Sequence, residues 1–178
     1  MTMKWLQGVM GLAVLATSHG AGAHGAHEHG VVKLDIAIEA GRITLQMESP
    51  LDNLIGFEHA PRNDTERRHA AAAVTTLRAA DKIFRIDPAA ACTLAQVELT
   101  SAPLQLGKPE PGATDDGHGD LDGDFEFRCK DTAKATFIDI GLFSAFEATQ
   151  RIEVQVAAPK GQLKRTLRRP AARVDLTR

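Results

Sequence analysis

Histidines are concentrated near the start of the chain. Of the seven histidines, four lie between residues 19 and 29, namely His19, His24, His27 and His29. Neutral imidazole is a common ligand of Zn²⁺. In an extended strand, residues two positions apart project to the same side, so His27 and His29 are spaced to share one metal ion. The alternative is a polar tail whose histidines have no metal role.

A second histidine stands among carboxylates. His118 lies in the sequence Asp-Asp-Gly-His-Gly-Asp at residues 115–120. One imidazole and neighbouring carboxylates can complete a tetrahedral zinc site. Taken alone, an acidic glycine-rich segment is more often solvated or a weak Ca²⁺ site, and this spacing is not that of an EF-hand. We include His118 among the predicted metal ligands.

A Glu-His pair at residues 58 and 59 is a third source of metal chemistry. His59 can bind a metal while Glu58 orients it, because metal-binding histidines usually bond a carboxylate or carbonyl through the second ring nitrogen. The alternative of an acidic residue and a hydrogen-bonded loop histidine stays open. His59 is a predicted ligand, whereas His69, among arginines and alanines of a predicted helix, is not.

The first residues have the pattern of an export signal. A short positive segment at residues 1–4 precedes twelve mostly apolar residues, about half the length of a membrane-spanning helix. Ala21-Gly22-Ala23 fits the cleavage pattern of small residues. We predict a signal peptide over residues 1–23, a mature chain from His24, and no membrane insertion after cleavage.

Export changes the interpretation of the two cysteines. Cys92 and Cys129 would occupy a compartment where disulfides persist, and their spacing matches no zinc-binding pattern. We predict that they form a disulfide. The alternatives are two free buried thiols or a pair of thiolate metal ligands.

The apolar pattern predicts an α+β fold of mainly antiparallel strands, with one long helix and short helical turns. A hairpin is expected over residues 31–47, a helical turn capped by Ser49 over residues 51–56, and the long helix from a capping box at Asn63 to about Ala80. Further strands are expected at residues 83–86, 92–99, 125–129, 136–140, 152–156, 162–167 and 174–176. We predict that residues 24–178 form a single domain.

The two halves of the chain share a spacing that suggests an internal duplication with pseudo-twofold symmetry. His29-Gly30 and Phe57-Glu58 are repeated by His118-Gly119 and Phe146-Glu147 at an offset of 89 residues. The candidate half-repeats are residues 29–105 and 118–178. The duplication would make His118 the counterpart of His29.

Composition argues against several classes of function. Lys and Arg total 21 against 23 Asp and Glu, so the totals show no basic footprint for nucleic acid. Tyr is absent and the one Trp, Trp5, lies in the predicted signal, which disfavours stacking on sugars or bases. The sequence contains neither G-x-S-x-G nor H-E-x-x-H, and we predict that it is not an enzyme.

The chain resembles the ZrgA-type family of bacterial periplasmic zinc-binding proteins across essentially the whole predicted mature sequence. The matching motifs are His-Glu-His-Gly at residues 27–30, Glu-Ser-Pro-Leu-Asp-Asn-Leu-Ile-Gly-Phe-Glu-His-Ala-Pro at residues 48–61, His-Gly-Asp-Leu at residues 118–121, Phe-Glu-Phe-Arg-Cys at residues 125–129, and Leu-Phe at residues 142–143. The resemblance implies a periplasmic protein that binds Zn²⁺ and assists zinc uptake transporter components. It also implies that the ligands are among His27, His29, His59 and His118.

One departure from the family pattern concerns the central segment. Related sequences often carry a histidine-rich tract and a His-x-His pair there, but Asp116 occupies the position of the first histidine of that pair. This favours a single site over high-capacity zinc buffering. Two other functions stay open: an N-terminal histidine brace for copper at His24, and a structural or adhesive module without a metal role.

Overall fold

The computed structural model describes residues 28–108 and 119–177, so the predicted signal peptide lies outside the described residues. The strands are β1 Val31–Glu39, β2 Arg42–Pro50, β3 Phe84–Ile86, β4 Cys92–Thr100, β5 Asp120–Cys129, β6 Phe137–Ile140, β7 Arg151–Ala158, β8 Gly161–Arg168 and β9 Arg173–Asp175. The helices are α1 Asp52–Ile55, α2 Asp64–Arg78, α3 Ala80–Ile83 and α4 Leu142–Ala145. Strands predominate, and the α+β character is confirmed.

Two sheets contain these strands. The larger has the order β4-β5-β2-β1-β7-β8, and the smaller has the order β3-β6-β9. All neighbouring strands are antiparallel except β1 and β7, which are parallel. The predicted β1–β2 hairpin is confirmed, with Gly41 at a φ of 76° in its turn, where a side chain would be strained. The parallel pair and the division into two sheets were not predicted.

The core lies against one face of the larger sheet. Alternate residues of its central strands are buried, as the period of two in a strand requires. They include Val32, Leu34, Ile36, Ile43, Leu45, Phe125, Phe127, Ile152 and Val154. Phe84 from the smaller sheet contacts Phe125 with a ring-centroid distance of 5.0 Å, so the two sheets share one core. The opposite face carries polar residues such as Lys33, Asp35 and Gln155.

The α2 helix begins where the capping box predicts. The Asn63 side chain accepts a hydrogen bond of 3.0 Å from the Glu66 backbone N–H, and the apolar side of the helix buries Ala70, Ala73 and Leu77. The helix ends at Arg78 because Ala79 leaves the helical conformation, with φ −88° and ψ 48°. A separate turn, α3, then includes Ile83, which had been expected in a strand.

A further sequence expectation differs from the structure. Ser49 does not cap α1: Ser49 and Pro50 continue β2, and Leu51 occupies the cap position without a side-chain hydrogen bond. The duplication is not confirmed. The strands β1 and β2 form a hairpin in one sheet, whereas β5 and β6 belong to different sheets. None of the helices within residues 28–108 and 119–177 has the length and apolar character that a membrane span requires.

The predicted disulfide between Cys92 and Cys129 is present. The two residues are directly paired in the β4–β5 ladder, and the Cys129 N–H donates to the Gly41 carbonyl in the β1–β2 turn. The bridge therefore lies at the end of the larger sheet opposite to the start of β1. It closes a loop with a sequence separation of 37.

Replacing both cysteines, Cys92→Ser and Cys129→Ser together, is expected to lower the free energy of unfolding by roughly 3 to 4 kcal/mol, because the unfolded chain loses a loop constraint. Urea unfolding monitored by circular dichroism measures this change. An unfolding midpoint equal to that of the oxidised wild type would contradict it.

Candidate metal centre

His29 lies at the end of the larger sheet where β1, β5 and β7 begin and β2 ends. Val31 pairs with Arg151 at the start of β7, and Pro50 pairs with Asp120 at the start of β5. Helix α1 follows β2 at once and lies beside the residues that precede β1. This topology brings together segments that are far apart in the sequence.

The buried side chain of Asn53 fixes the backbone next to His29. Its Oδ1 accepts a hydrogen bond of 2.5 Å from the Gly30 N–H, and its Nδ2 donates to the Val31 carbonyl over 2.8 Å. The β1–β2 ladder stops at the pair Lys33 and Glu48. The amide of Asn53 therefore extends the hydrogen bonding of β1 beyond the last paired residue of β2. Asn53 is only 1% exposed, so water cannot readily replace these bonds.

The other side of the same segment is held by the start of β7. The Gly30 carbonyl accepts hydrogen bonds from the N–H groups of Gln150 and Arg151. Gly30 has a φ of 81°, and a Cβ there would lie 3.0 Å from the Gln150 side chain. The Arg151 guanidinium also donates to Glu28 over 2.5 Å. The backbone on both sides of His29 is thus fixed.

The His29 ring faces two carboxylates. Its Nδ1 lies 3.1 Å from Asp52 Oδ2 and 3.9 Å from Glu58 Oε1. Because an ionised carboxylate only accepts hydrogen bonds, the contact with Asp52 requires a proton on Nδ1, and a neutral imidazole then has its lone pair on Nε2. The His29 side chain is 65% exposed. A histidine oriented in this way by a carboxylate, with the second nitrogen accessible, is typical of a metal ligand.

Glu58 links this histidine to the start of β5. Gly119, the residue before β5, has no side chain, and its carbonyl accepts a hydrogen bond of 2.8 Å from the Leu51 N–H. A Cβ on Gly119 would lie 2.2 Å from the Glu58 carbonyl oxygen and 2.7 Å from Pro103, so only glycine fits. Gly119 is the residue that follows His118 in the sequence. The segment that follows His118 therefore packs against Glu58, the residue whose side chain lies near His29.

The structure places His59 in the connection between α1 and α2. Its ring stacks on Phe57 with a centroid distance of 5.0 Å, and its Nδ1 lies 2.9 Å from the Ala60 carbonyl oxygen. A carbonyl only accepts, so Nδ1 is the donor and Nε2 keeps its lone pair. Glu66 Oε2 is 4.0 Å from Nδ1. Hydrogen bonds from the Arg62 N–H and then the Asn63 amide lower the pKa of Glu66.

The described residues contain half of the predicted ligand set. His29 and His59 lie in the described part, whereas His27 and His118 lie outside it. Within residues 28–108 and 119–177, no three His, Cys, Asp or Glu side chains are grouped so as to hold a metal ion. The prediction of all four histidines as ligands stays untested.

Sequence analysis missed several residues that fix this region. Asp52 and Asn53 were noted only as part of the motif over residues 48–61. The position of Asn53 between an acidic residue and an apolar pair, directly after a strand, was the available signal. Nothing in the sequence indicated that Arg151 would bond Glu28 across 123 positions.

Asn53→Ala is expected to lower the free energy of unfolding by roughly 2 to 3 kcal/mol, since it leaves the Gly30 N–H and the Val31 carbonyl without their partner. The matched control is Asn63→Ala at the cap of α2, which should cost only about 1 kcal/mol. Urea unfolding compares the two, and hydrogen exchange of the Gly30 amide should accelerate in the first variant alone. Equal losses in both variants would contradict a special role for Asn53.

Gly119→Ala is expected to destabilise the fold by roughly 1 to 3 kcal/mol, because the new Cβ must displace the Glu58 backbone. Gly141→Ala is the control and should destabilise the fold less. A Cβ there would lie 3.1 Å from its nearest atom, the Ile83 carbonyl oxygen. Thermal unfolding of both variants gives the comparison. A wild-type melting temperature for Gly119→Ala would show that the contact is not formed.

Comparison with known proteins extends the resemblance found in the sequence. No curated protein matches the chain. The model of a family described as ZrgA family zinc uptake protein matches residues 26–176, which is most of the sequence and includes all four predicted ligands. A match of this extent shows the family, and the chain belongs to the ZrgA family of zinc uptake proteins.

Proposed function

We propose that this chain is an exported, periplasmic protein that binds Zn²⁺ and delivers it to, or scavenges it for, a zinc uptake system. Family membership supports an association with zinc uptake. The disulfide between Cys92 and Cys129 supports an oxidising compartment, where such bonds persist. The partners would be components of a zinc uptake transporter.

The observation that carries the proposal is the convergence at Glu58. Its side chain lies 3.9 Å from the His29 ring, and its backbone carbonyl packs against Gly119. Two segments that each bear a predicted ligand therefore meet at one residue, although they are separated by about ninety positions in the sequence. In this proposal His27 and His118 join His29 to complete the ligand set.

The donor set fits zinc chemistry. Imidazole nitrogens are preferred by Zn²⁺, and the ion tolerates a carboxylate as a further ligand. Asp52 would hold His29 in the tautomer that presents Nε2, and Glu58 is near enough to act as a second orienting group or as a ligand. A site filled by protein ligands leaves no position for a substrate, which agrees with binding and delivery more than with catalysis.

His59 has a separate place in the proposal. Its Nδ1 bond to the Ala60 carbonyl leaves Nε2 as a donor atom for metal, in the pattern of oriented histidine ligands. It is next to Glu58 in the chain, so it would supply the fourth nitrogen if its side chain turns toward His29.

Isothermal titration of the untagged mature chain with Zn²⁺ should show one tight site. His29→Ala and His118→Ala should each weaken zinc affinity by at least tenfold, since each removes a nitrogen ligand. Metal analysis of protein purified without an affinity tag should find zinc.

The matched control is His69→Ala, because His69 is exposed on α2 and outside the predicted site. That variant should bind zinc as the wild type does. Unchanged affinity in both His29→Ala and His118→Ala would overturn the proposed site, and an equal loss in His69→Ala would indicate non-specific binding by histidines.

A further inference from the structure

The two edges of the larger sheet are built differently. At one edge, β4 has a register shift between Leu94 and Gln96, a bulge that interrupts a regular edge and discourages pairing with another strand. At the other edge, β8 pairs with β7 without interruption over all eight of its residues. Among the described residues, no strand pairs with the outer side of β8. A regular edge about 26 Å long is therefore open to an added strand.

The side chains along this edge are strongly basic. Between residues 159 and 174 there are six Lys and Arg and no Asp or Glu. Four of them, Lys160, Lys164, Arg165 and Arg168, are exposed in or beside β8. A fifth, Arg169, donates to the carbonyls of Phe146, Glu147 and Thr149 and has a structural role.

The basic side chains occupy both sides of the strand. Leu167 is buried against the core, and alternation along β8 places Arg165 on that same side and Lys164 and Arg168 on the opposite one. Two copies of this edge would bring like charges together, which disfavours self-pairing. An incoming strand with carboxylates would instead gain main-chain hydrogen bonds and cross-strand charge pairs.

We propose that the β8 edge binds an extended acidic segment of a partner protein by strand addition. Strand addition provides affinity through main-chain hydrogen bonds and specificity through alternate side chains. Carboxylates at alternate positions of the added strand would face Lys164 and Arg168. The exposed backbone of an uninterrupted edge and a charge of one sign along its length both point to the same kind of ligand.

The edge also ends close to the candidate metal centre. Arg168, the last residue of β8, pairs with Arg151, and the Arg151 guanidinium bonds Glu28, the neighbour of His29. A strand added to β8 would lie at the same end of the sheet as His29, with β7 and β8 between it and β1, a distance of about 14 Å. A role of this surface in zinc transfer rests on the proposed function, whereas strand addition itself does not require zinc.

The test uses the full mature chain, treated with a chelator, and a fluorescent eight-residue peptide of alternating Glu and Val. Fluorescence anisotropy should show saturable binding that weakens at least tenfold in Lys164→Glu combined with Arg168→Glu. A peptide of the same sequence with every backbone nitrogen methylated keeps the charge but has no N–H groups, and it should bind at least tenfold more weakly. A peptide of alternating Lys and Val should not bind.

The control variant is Arg67→Glu combined with Arg68→Glu, which makes the same change in net charge on the exposed surface of α2. It should bind the acidic peptide within twofold of the wild type. Equal binding of the methylated peptide would reduce the effect to general charge attraction and overturn strand addition. Absence of binding by the acidic peptide, or binding by vesicles containing phosphatidylglycerol in its place, would also overturn the proposal.

Zinc titration of the β8 variant separates the two proposals. Its zinc affinity should equal that of the wild type, because Lys164 and Arg168 are not in the predicted ligand set. Loss of peptide binding with retained zinc binding supports the docking surface. Loss of both in a variant with wild-type urea unfolding would show that the substitutions act on the metal centre and would overturn a separate docking surface.

Discussion

The amide of Asn53 is the interaction on which the arrangement around His29 depends. The strand β1 is central in its sheet, but the β1–β2 ladder stops two residues short of the first residue of β1. The last two residues of β2, Ser49 and Pro50, pair with β5 but not with β1, and Pro50 has no N–H group to continue the ladder toward β1. The buried Asn53 side chain accepts from the Gly30 N–H through its oxygen and donates to the Val31 carbonyl through its nitrogen, so it supplies the bonds that β2 does not make. The position of His29 is therefore set by helix α1 as much as by the sheet.

Helix α1 has two functions in four residues. Asn53 faces inward and bonds the backbone, while its neighbour Asp52 faces outward and contacts the His29 ring. Successive residues of a helix point about 100° apart, so a single turn can hold a strand and orient a side chain of the same strand. The rigid backbone and the exposed ring coexist because different residues control each of them.

The parts of this fold that local patterns determine were predictable. The hairpin follows from alternation and a glycine turn, α2 from its capping box, and the disulfide from two cysteines that follow a predicted export signal. The parallel pairing of β1 with β7 joins residues about 120 positions apart and has no local signal. At the candidate site, the histidines were visible by type, but the partners of His29 were not. Asp52 and Glu58 reach it only through the path of the chain after β2.

The anchoring of the two ends of the segment between residues 108 and 119 has a consequence for how this protein can diversify. Before the segment, Ser101 and Leu106 exchange backbone hydrogen bonds, and the Ser101 hydroxyl donates to the Asp120 carbonyl over 2.7 Å. After it, Gly119 is held by Leu51. Since both attachment points are held by the rest of the fold and by each other, doubling the intervening length would cost only about 0.6 kcal/mol in closure entropy. This stretch can therefore acquire or discard metal-binding residues as an interchangeable insert, while the two sheets keep their packing.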